Sequence, residues 1–287
     1  MSKHSSIHQY LSIEKSFLLE HRCTRLSPLT CYHYHDGCEF YLFLQGTATM
    51  YVESHAYNLK RGDLFLFRPD ELHRVFCLNE DTYERCTLHL QTSYLKQLST
   101  TQTDLLKFCK NPPLAGNCKR HLSEPELQQF LNLFQQIETH QKSTSYGDDI
   151  LAVTELVRLL INVNLIFEKN GRQAENQMPT LIQKTMDYVE SHLTEDISLE
   201  HLSKVLFHSG AYISRKFKEH TGITLRDYII CKRILLAKSL LSQNLPLTFV
   251  CEQSGFHDYA NFNRTFTKQI GCSPGKYRKN LGIIKDV

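Results

Sequence analysis

The stretch His33–Phe43 holds the residues with the clearest capacity for chemistry: His33 and His35 two apart, and Glu39 four residues further on. On a strand, residues two apart project to the same face, so the two imidazoles can converge on one point. Two imidazoles and a carboxylate at such spacing read as direct metal ligands, and a bound metal would raise the question of catalysis. The Asp36-Gly37 turn between them leaves the direction of Glu39 undetermined by strand parity alone. The elements that must hold these residues, and what else the chain carries, decide how the cluster is used.

At 287 residues the chain is long enough for two domains. An apolar content of 41% and a charged content of 22% are those of an ordinary globular protein. The first ten residues have no apolar run and no small-residue cleavage site, so no secretory signal is read there. The greasiest stretch, Leu156–Phe167, is short and contains Arg158, Asn162 and Asn164, which argues against a membrane span. The expected location is cytoplasmic. The ten cysteines include no CxxC pair and are read as small buried apolar residues, with thiol sensing at Cys31 or Cys38 as the alternative. Charge is unevenly spread: residues 1–178 hold 18 Lys/Arg against 20 Asp/Glu, and residues 179–287 hold 15 against 10. A basic second part suggests a polyanionic partner for it.

The first hundred residues read as short β-strands. "EFYLFLQG" and "TATMYVES" flank a turn at Gly46, and "RGDLFLFRP", "HRVFCL" and "YERCTLHL" follow, a spacing that suggests a small barrel or sandwich. Two amphipathic helices come next. The first opens at Ser123; the second keeps Val153, Leu156, Leu160, Val163 and Phe167 on one stripe and Ile150, Val157, Ile161 and Leu165 on its neighbour. A helix apolar on two faces must bury two faces, either both within its own domain or one on the barrel and one on a second subunit, as a homodimer through the 147–168 helix. The polar segment within residues 170–178 reads as a linker. The domains are therefore expected at 1–169, for ligand sensing and dimerisation, and at 179–287, for DNA binding.

The second part contains an internal repeat. Residues 207–228 align without gaps to residues 256–277 at an offset of 49, with seven of 22 positions identical. Ile213/Phe217 and Phe262/Phe266 are i,i+4 apolar pairs, and Gly222 and Gly271 fall where a left-handed helix cap is needed. A shorter amphipathic segment precedes each copy, so the helix-turn-helix arrangement occurs twice. At roughly 100° per residue, Ala211 and Arg215 lie opposite Ile213, with Ser214 and Lys218 beside them. Ala260 and Arg264 lie opposite Phe262, with Tyr259 and Asn263 alongside. Small residues permit close approach to a duplex, and Arg and Asn pair bidentately with guanine and adenine edges. Solvated surface arginines would show the same exposure, but equivalent placement in both copies favours reading. A long helix capped by Thr224 joins the copies and would fix their separation.

The stretch Ser254–Lys279 closely resembles the signature of the AraC/XylS-type bacterial transcription regulators, carried by Gly255-Phe256, Asp258, Phe262, Arg264, Phe266, Gly271, Ser273-Pro274, Tyr277 and Arg278. Asn261 and Thr267 depart from it, the latter removing one phosphate-contacting lysine. The resemblance covers about residues 180–279 and maps base contacts to Ala211, Tyr212, Ser214, Arg215, Tyr259, Ala260, Asn263 and Arg264. The first domain is similar to the cupins: His33, His35, Glu39 and Gly46 have the spacing of the first cupin motif, and Gly62, Arg68, Asp70 and His73 that of the second, with Arg68, Asp70 and Cys77 departing in type. The cupin resemblance fills all four metal positions: His33, His35, Glu39 and His73. Such a set suits Mn, Fe, Ni or Zn. The same residues, with Tyr41, could instead line an organic-ligand pocket, or serve structure alone.

The resulting expectation is an α+β two-domain protein: an N-terminal cupin-like β-barrel with a helical pair, and a C-terminal all-α domain of two helix-turn-helix units joined by a long helix. Its expected role is a non-enzymatic regulator binding double-stranded promoter or operator DNA, controlled by a small-molecule, sugar-like effector at His33, His35, Glu39, Tyr41 and His73. A divalent metal is a possible cofactor, and RNA polymerase a partner if the regulator is an activator. The alternative is a metal-dependent cupin enzyme tethered to nucleic acid.

Overall fold

Alternating apolar residues in the first part of the chain fold as ten short strands: β1 (Gln9–Leu11), β2 (Phe17–Thr24), β3 (His33–His35), β4 (Cys38–Gln45), β5 (Ala48–Val52), β6 (His55–Asn58), β7 (Asp63–Phe67), β8 (His73–Cys77), β9 (Tyr83–Leu90) and β10 (Lys119–His121). The structure is a computed structural model, and it describes residues 9–11, 15–25, 32–79, 82–110, 118–168 and 176–285. The strands form two five-stranded sheets, in the orders β1-β3-β8-β5-β6 and β10-β7-β4-β9-β2. The chain divides into two compact units: residues 11–28 and 35–177 belong to one, and residues 1–10, 29–34 and 178–287 to the other.

The near-continuous apolar run of β4 is explained by burial on both faces. Phe40, Leu42 and Leu44 join Leu64 and Leu66 of β7 and Cys86, Leu88 and Leu90 of β9 in one cluster. That cluster is covered by α3 (Glu124–Lys142) and α4 (Asp148–Glu168), through Phe130, Leu133, Phe134, Ile137, Leu156, Leu159, Leu160 and Val163. The opposite face sends Tyr41 and Phe43 into a second cluster with Phe65, Phe67 and Tyr83 of the same sheet and Met50, Val52, Tyr57 and Val75 of the other. Each such aliphatic or aromatic side chain stabilises the fold by roughly 1.5–3 kcal/mol on burial. Two short helices, α1 (Thr92–Leu98) and α2 (Lys107–Lys110), lie between β9 and β10 in sequence.

Ser123 caps α3 in a capping box with Glu126, whose carboxylate accepts from the Ser123 backbone N–H at 2.9 Å. On α4 the inner stripe is buried at Leu156, Leu160 and Val163 and half-buried at Val153 and Phe167, whereas Ile150, Ile161 and Leu165 of the second stripe remain 66%, 39% and 53% exposed. At 21 residues α4 is longer than the greasy core of its sequence, and by length and mean hydropathy (1.9) it would suit a bilayer. Its buried face, packed on α3 and the sheet, is that of a domain helix.

The segment expected to be a linker ends differently. Residues 169–175 lie outside the described residues, whereas Asn176 and Gln177 are fastened to the edge of the first unit. The Asn176 side chain accepts from Ala56 N–H (3.0 Å) and donates to Ser54 O (3.3 Å), and Gln177 N–H donates to Ala56 O (2.9 Å). An edge strand such as β6 presents unpaired backbone groups, and these two residues satisfy some of them.

Residues 180–285 are helical: α5 (Thr180–Ser191), α6 (Leu199–Leu206), α7 (Gly210–Thr221), α8 (Leu225–Leu241), α9 (Leu247–Gln253), α10 (Tyr259–Ile270) and α11 (Pro274–Lys285). Ser198, Ser209, Thr224 and Asp258 each cap a helix by accepting a backbone N–H. Gly222 and Gly271 take left-handed φ of 76° and 83° after α7 and α10. Both helix-turn-helix units are present, and Ile213, Phe217, Phe262 and Phe266 are fully buried. The repeat is less exact than the gapless alignment implies. In the first unit Phe207 itself takes the left-handed position (φ 55°), two residues before the cap Ser209, and is 90% exposed. In the second, Gly255 takes it (φ 81°), three residues before the cap Asp258, and Phe256 is buried. The first turn is one residue shorter, so aligned phenylalanines do different work.

Candidate functional site

The sheet register builds the first site. Glu39 on β4 lies opposite His89 on β9 and Phe67 on β7. By strand alternation Glu39 shares its face with Tyr41 and Phe43, which places its carboxylate on the inner side of the sheet. Its Oε2 lies 2.8 Å from His35 Nε2, 3.1 Å from His73 Nε2 and 3.5 Å from His89 Nε2. The His73 ring is held by stacking on Phe67, with centroids 3.9 Å apart and planes within 7°. His33 is buried on β3, on the same face as His35 by alternation. The buried Tyr41 hydroxyl meets that of Tyr83 at 2.6 Å, and its ring lies on the same inner face as Glu39, 6.4 Å from the Phe67 ring that stacks on His73. His89 was not among the sequence candidates. The alternation Cys86, Leu88, Leu90 towards the helices was the signal that could have turned it inward.

The ring nitrogens identify what the cluster can hold. His35 Nδ1 lies 2.9 Å from Gly37 O, and His73 Nδ1 lies 2.9 Å from Glu71 O. A carbonyl only accepts, so both Nδ1 atoms carry protons, and in the neutral rings both Nε2 atoms present lone pairs to Glu39. Hydrogen bonds from these Nε2 atoms to the carboxylate would therefore require imidazolium rings. Imidazolium at His35 and His73, together with the positive charge that Glu39 favours on His89, would leave two uncompensated charges in a buried site, which is costly. A divalent cation among neutral rings and one carboxylate leaves a single excess charge and uses every lone pair. Nδ1–H to a backbone carbonyl with Nε2 free is also the arrangement that orients metal-ligating histidines. The donor set thus fits a divalent cation held by His35, Glu39 and His89, with His73 facing the same Glu39 oxygen, and such a cation would supply a Lewis-acidic point for an oxygen-bearing ligand. Electrostatics agree that Glu39 is ionised. Without a cation, burial would raise its pKa, but positive charge on His89 and the hydrogen bonds that protonated rings would donate outweigh it and hold the carboxyl well below the usual range. Burial lowers the His89 pKa, and the Glu39 carboxylate more than reverses this.

The second site lies on α7 and α10. Ala211, Tyr212, Arg215, Tyr259, Ala260 and Arg264 are exposed, and Ser214 and Asn263 are half-buried at the flank. The Arg215 guanidinium lies 5.5 Å from the centroid of the Tyr212 ring, which restricts its rotamers and pre-orders the pair. The faces are held by one helix. On α8, Tyr228, Ile229, Cys231, Ile234, Ala237 and Leu241 are buried, and Arg233 donates to Leu193 O (2.9 Å) and Glu195 O (2.7 Å) of the α5–α6 loop. Every base-contacting position read from the sequence therefore lies on one of two exposed helix faces joined by one well-packed helix.

Comparison with known proteins agrees with both halves. Residues 28–160 match the model of the AraC-like ligand binding domain, and residues 202–280 match that of a helix-turn-helix domain. The probable transcriptional regulator LumQ of Photobacterium leiognathi is 25% identical over 271 residues, covering 90% of this chain and 95% of LumQ. An uncharacterised HTH-type transcriptional regulator of Staphylococcus aureus is 25% identical over 256 residues, and the chain spans 32% of that protein's length. Among solved structures, ToxT from Vibrio cholerae O395 is 16% identical over 93% of this chain and 99% of that one, with a TM-score of 0.36. With an AraC-like ligand-binding domain followed by a tandem helix-turn-helix domain, the chain belongs to the AraC-type family of transcription regulators.

Proposed function

We propose that this regulator reads a specific promoter or operator through Arg215 and Arg264, under the control of a small polar effector bound at the Glu39 cluster. The observation that carries the reading is the exposure of an arginine at the same place on two recognition helices, each opposite a buried apolar pair. The effector proposed is sugar-like: adjacent hydroxyls suit a cation held by His35, Glu39 and His89, or the imidazoles themselves, and His33 lies on the same face of β3 as His35. Effector binding shifts the population of DNA-competent arrangements. The test is selection of duplexes from a random library by the full chain, followed by affinity measurements with Zn2+ or Mn2+ and a panel of monosaccharides. No sequence preference overturns the DNA reading; a specific duplex whose affinity neither metal nor sugar alters overturns the effector reading.

A cupin enzyme tethered to nucleic acid would use the same donor set, but it has no need of two matched reading faces. Stoichiometric iron with turnover of a sugar or aromatic substrate would favour it.

The exposed stripe of α4 supports a homodimer, since Ile150, Ile161 and Leu165 form a row that no element of the described chain covers. The double variant Ile161→Glu/Leu165→Glu is expected to convert a micromolar dimer to monomer in equilibrium sedimentation while leaving the melting curve of the domain little changed. An unchanged dimer would place the interface elsewhere.

A further inference from the structure

We propose that Cys38 and Cys109 form a reversible disulfide, oxidised by peroxide, that ties α2 to the head of β4 beside the Glu39 cluster. Their Sγ atoms lie 2.6 Å apart although the residues are 71 positions apart in sequence. Two elements bring them together. Cys38 opens β4, and Cys109 lies on α2, whose Phe108 packs edge-on against Phe40 of β4 with ring centroids 5.1 Å apart. The contact is thus held by a neighbouring aromatic pair as well as by the thiols themselves.

The two cysteines differ in their access to an oxidant. Cys38 is fully buried, and Cys109 is partly exposed. An oxidant reaches Cys109 first, and Cys38 is already placed to resolve the product. The Cys109 sulfur attacks the peroxide O–O bond, giving the sulfenic acid and one water. Cys38 then attacks the sulfenic sulfur, forming the S–S bond and releasing a second water. Two thiols lose two electrons in all, and the peroxide is reduced to two waters. A thiol reductant reverses the change by exchange. Among cytosolic proteins, disulfides of this kind are redox-sensing more often than structural. The pair matters to the site because Cys38 is covalently next to Glu39, and Arg68 and Glu71, which act electrostatically on Cys109, lie in the segment whose Glu71 carbonyl orients His73.

The test uses the full-length chain, reduced and then exposed to hydrogen peroxide. The expected result is a fall in titratable thiols from ten to eight, a mass loss of about 2 Da as two hydrogens leave, and a non-reducing digest joining the peptides of Cys38 and Cys109. Dithiothreitol should restore both thiols. Cys109→Ser should abolish the link, whereas Cys118→Ser, at a buried cysteine just before β10, should retain it. If Cys109→Ser fails to fold, the digest of the wild-type chain still decides. Linkage of other cysteines, or a gain of oxygen at Cys109 with Cys38 left free, would overturn the proposal. None of these readouts involves DNA or an effector, so the outcome is independent of the regulatory reading.

Discussion

Arg264→Ala is expected to weaken binding to a duplex selected by the wild-type chain by about 1–3 kcal/mol, roughly 5- to 150-fold, with little change on random DNA. Arg215→Ala should do the same at a different base. The size follows from the chemistry of a bidentate guanidinium on a guanine edge, where loss of the side chain leaves two base acceptors without their partner. The two substitutions should differ in one respect. Arg215 lies over the Tyr212 ring, 5.5 Å from its centroid, and is partly ordered before DNA arrives, so Tyr212→Ala should reproduce part of the Arg215 loss. Base-by-base replacement across the selected duplex, measured by competition at fixed salt, assigns each arginine to its position. Equal losses on selected and random duplexes would identify the arginines as phosphate contacts, and the salt dependence would then fall by about one ion for each arginine removed.

Gly255→Ala should be the most damaging single methyl in the DNA-binding unit. Its φ is +81°, and an added Cβ would come within 2.6 Å of Leu193 O and 2.8 Å of Arg233 Nε. The left-handed backbone alone costs an L-residue about 1–2 kcal/mol. The clash also displaces the Arg233 guanidinium from the carbonyls of Leu193 and Glu195, and hydrogen bonds from a charged donor contribute about 1.5–3 kcal/mol. A total of roughly 3–5 kcal/mol predicts a fall in the midpoint of the helical unit of more than about 10 °C. Gly271→Ala supplies the internal comparison. Its φ is nearly the same, +83°, but nothing lies within 4 Å of the added carbon, so only the conformational cost of about 1–2 kcal/mol applies. If the two variants melt alike, the Arg233 junction carries no stability of its own.

Local signals in the sequence carried the helical unit almost entirely. Ser198 and Thr224 are caps, Ile213/Phe217 and Phe262/Phe266 are buried stripes, and Gly222 and Gly271 close their helices, because each is settled within one or two turns of chain. What the sequence left hidden was set by pairing across distance. His89 becomes a neighbour of Glu39 only through the β4–β9 register, and no spacing rule links residues fifty apart. Cys109 meets Cys38 for the same reason. Tyr41 is legible as an inner-face neighbour of Glu39 by alternation, whereas its hydroxyl partner Tyr83 lies on a strand far along the chain. The gapless repeat concealed the shorter first turn, since Phe207 and Phe256 are identical in type but differ in backbone conformation.

The helix between the two readers also sets the grammar of the DNA. With 17 residues and about 1.5 Å of rise for each, α8 is a strut of about 26 Å, seated by buried side chains along its length. A strut of that kind cannot stretch or swivel, so the two subsites it serves must keep their phase around the duplex. One inserted base pair turns the second subsite by about 34–36°, carrying its major-groove edge away from α10. Variation in operator spacing is therefore shut out of the gap between the two subsites that one chain reads, and on the proposed homodimer it would fall between the half-sites.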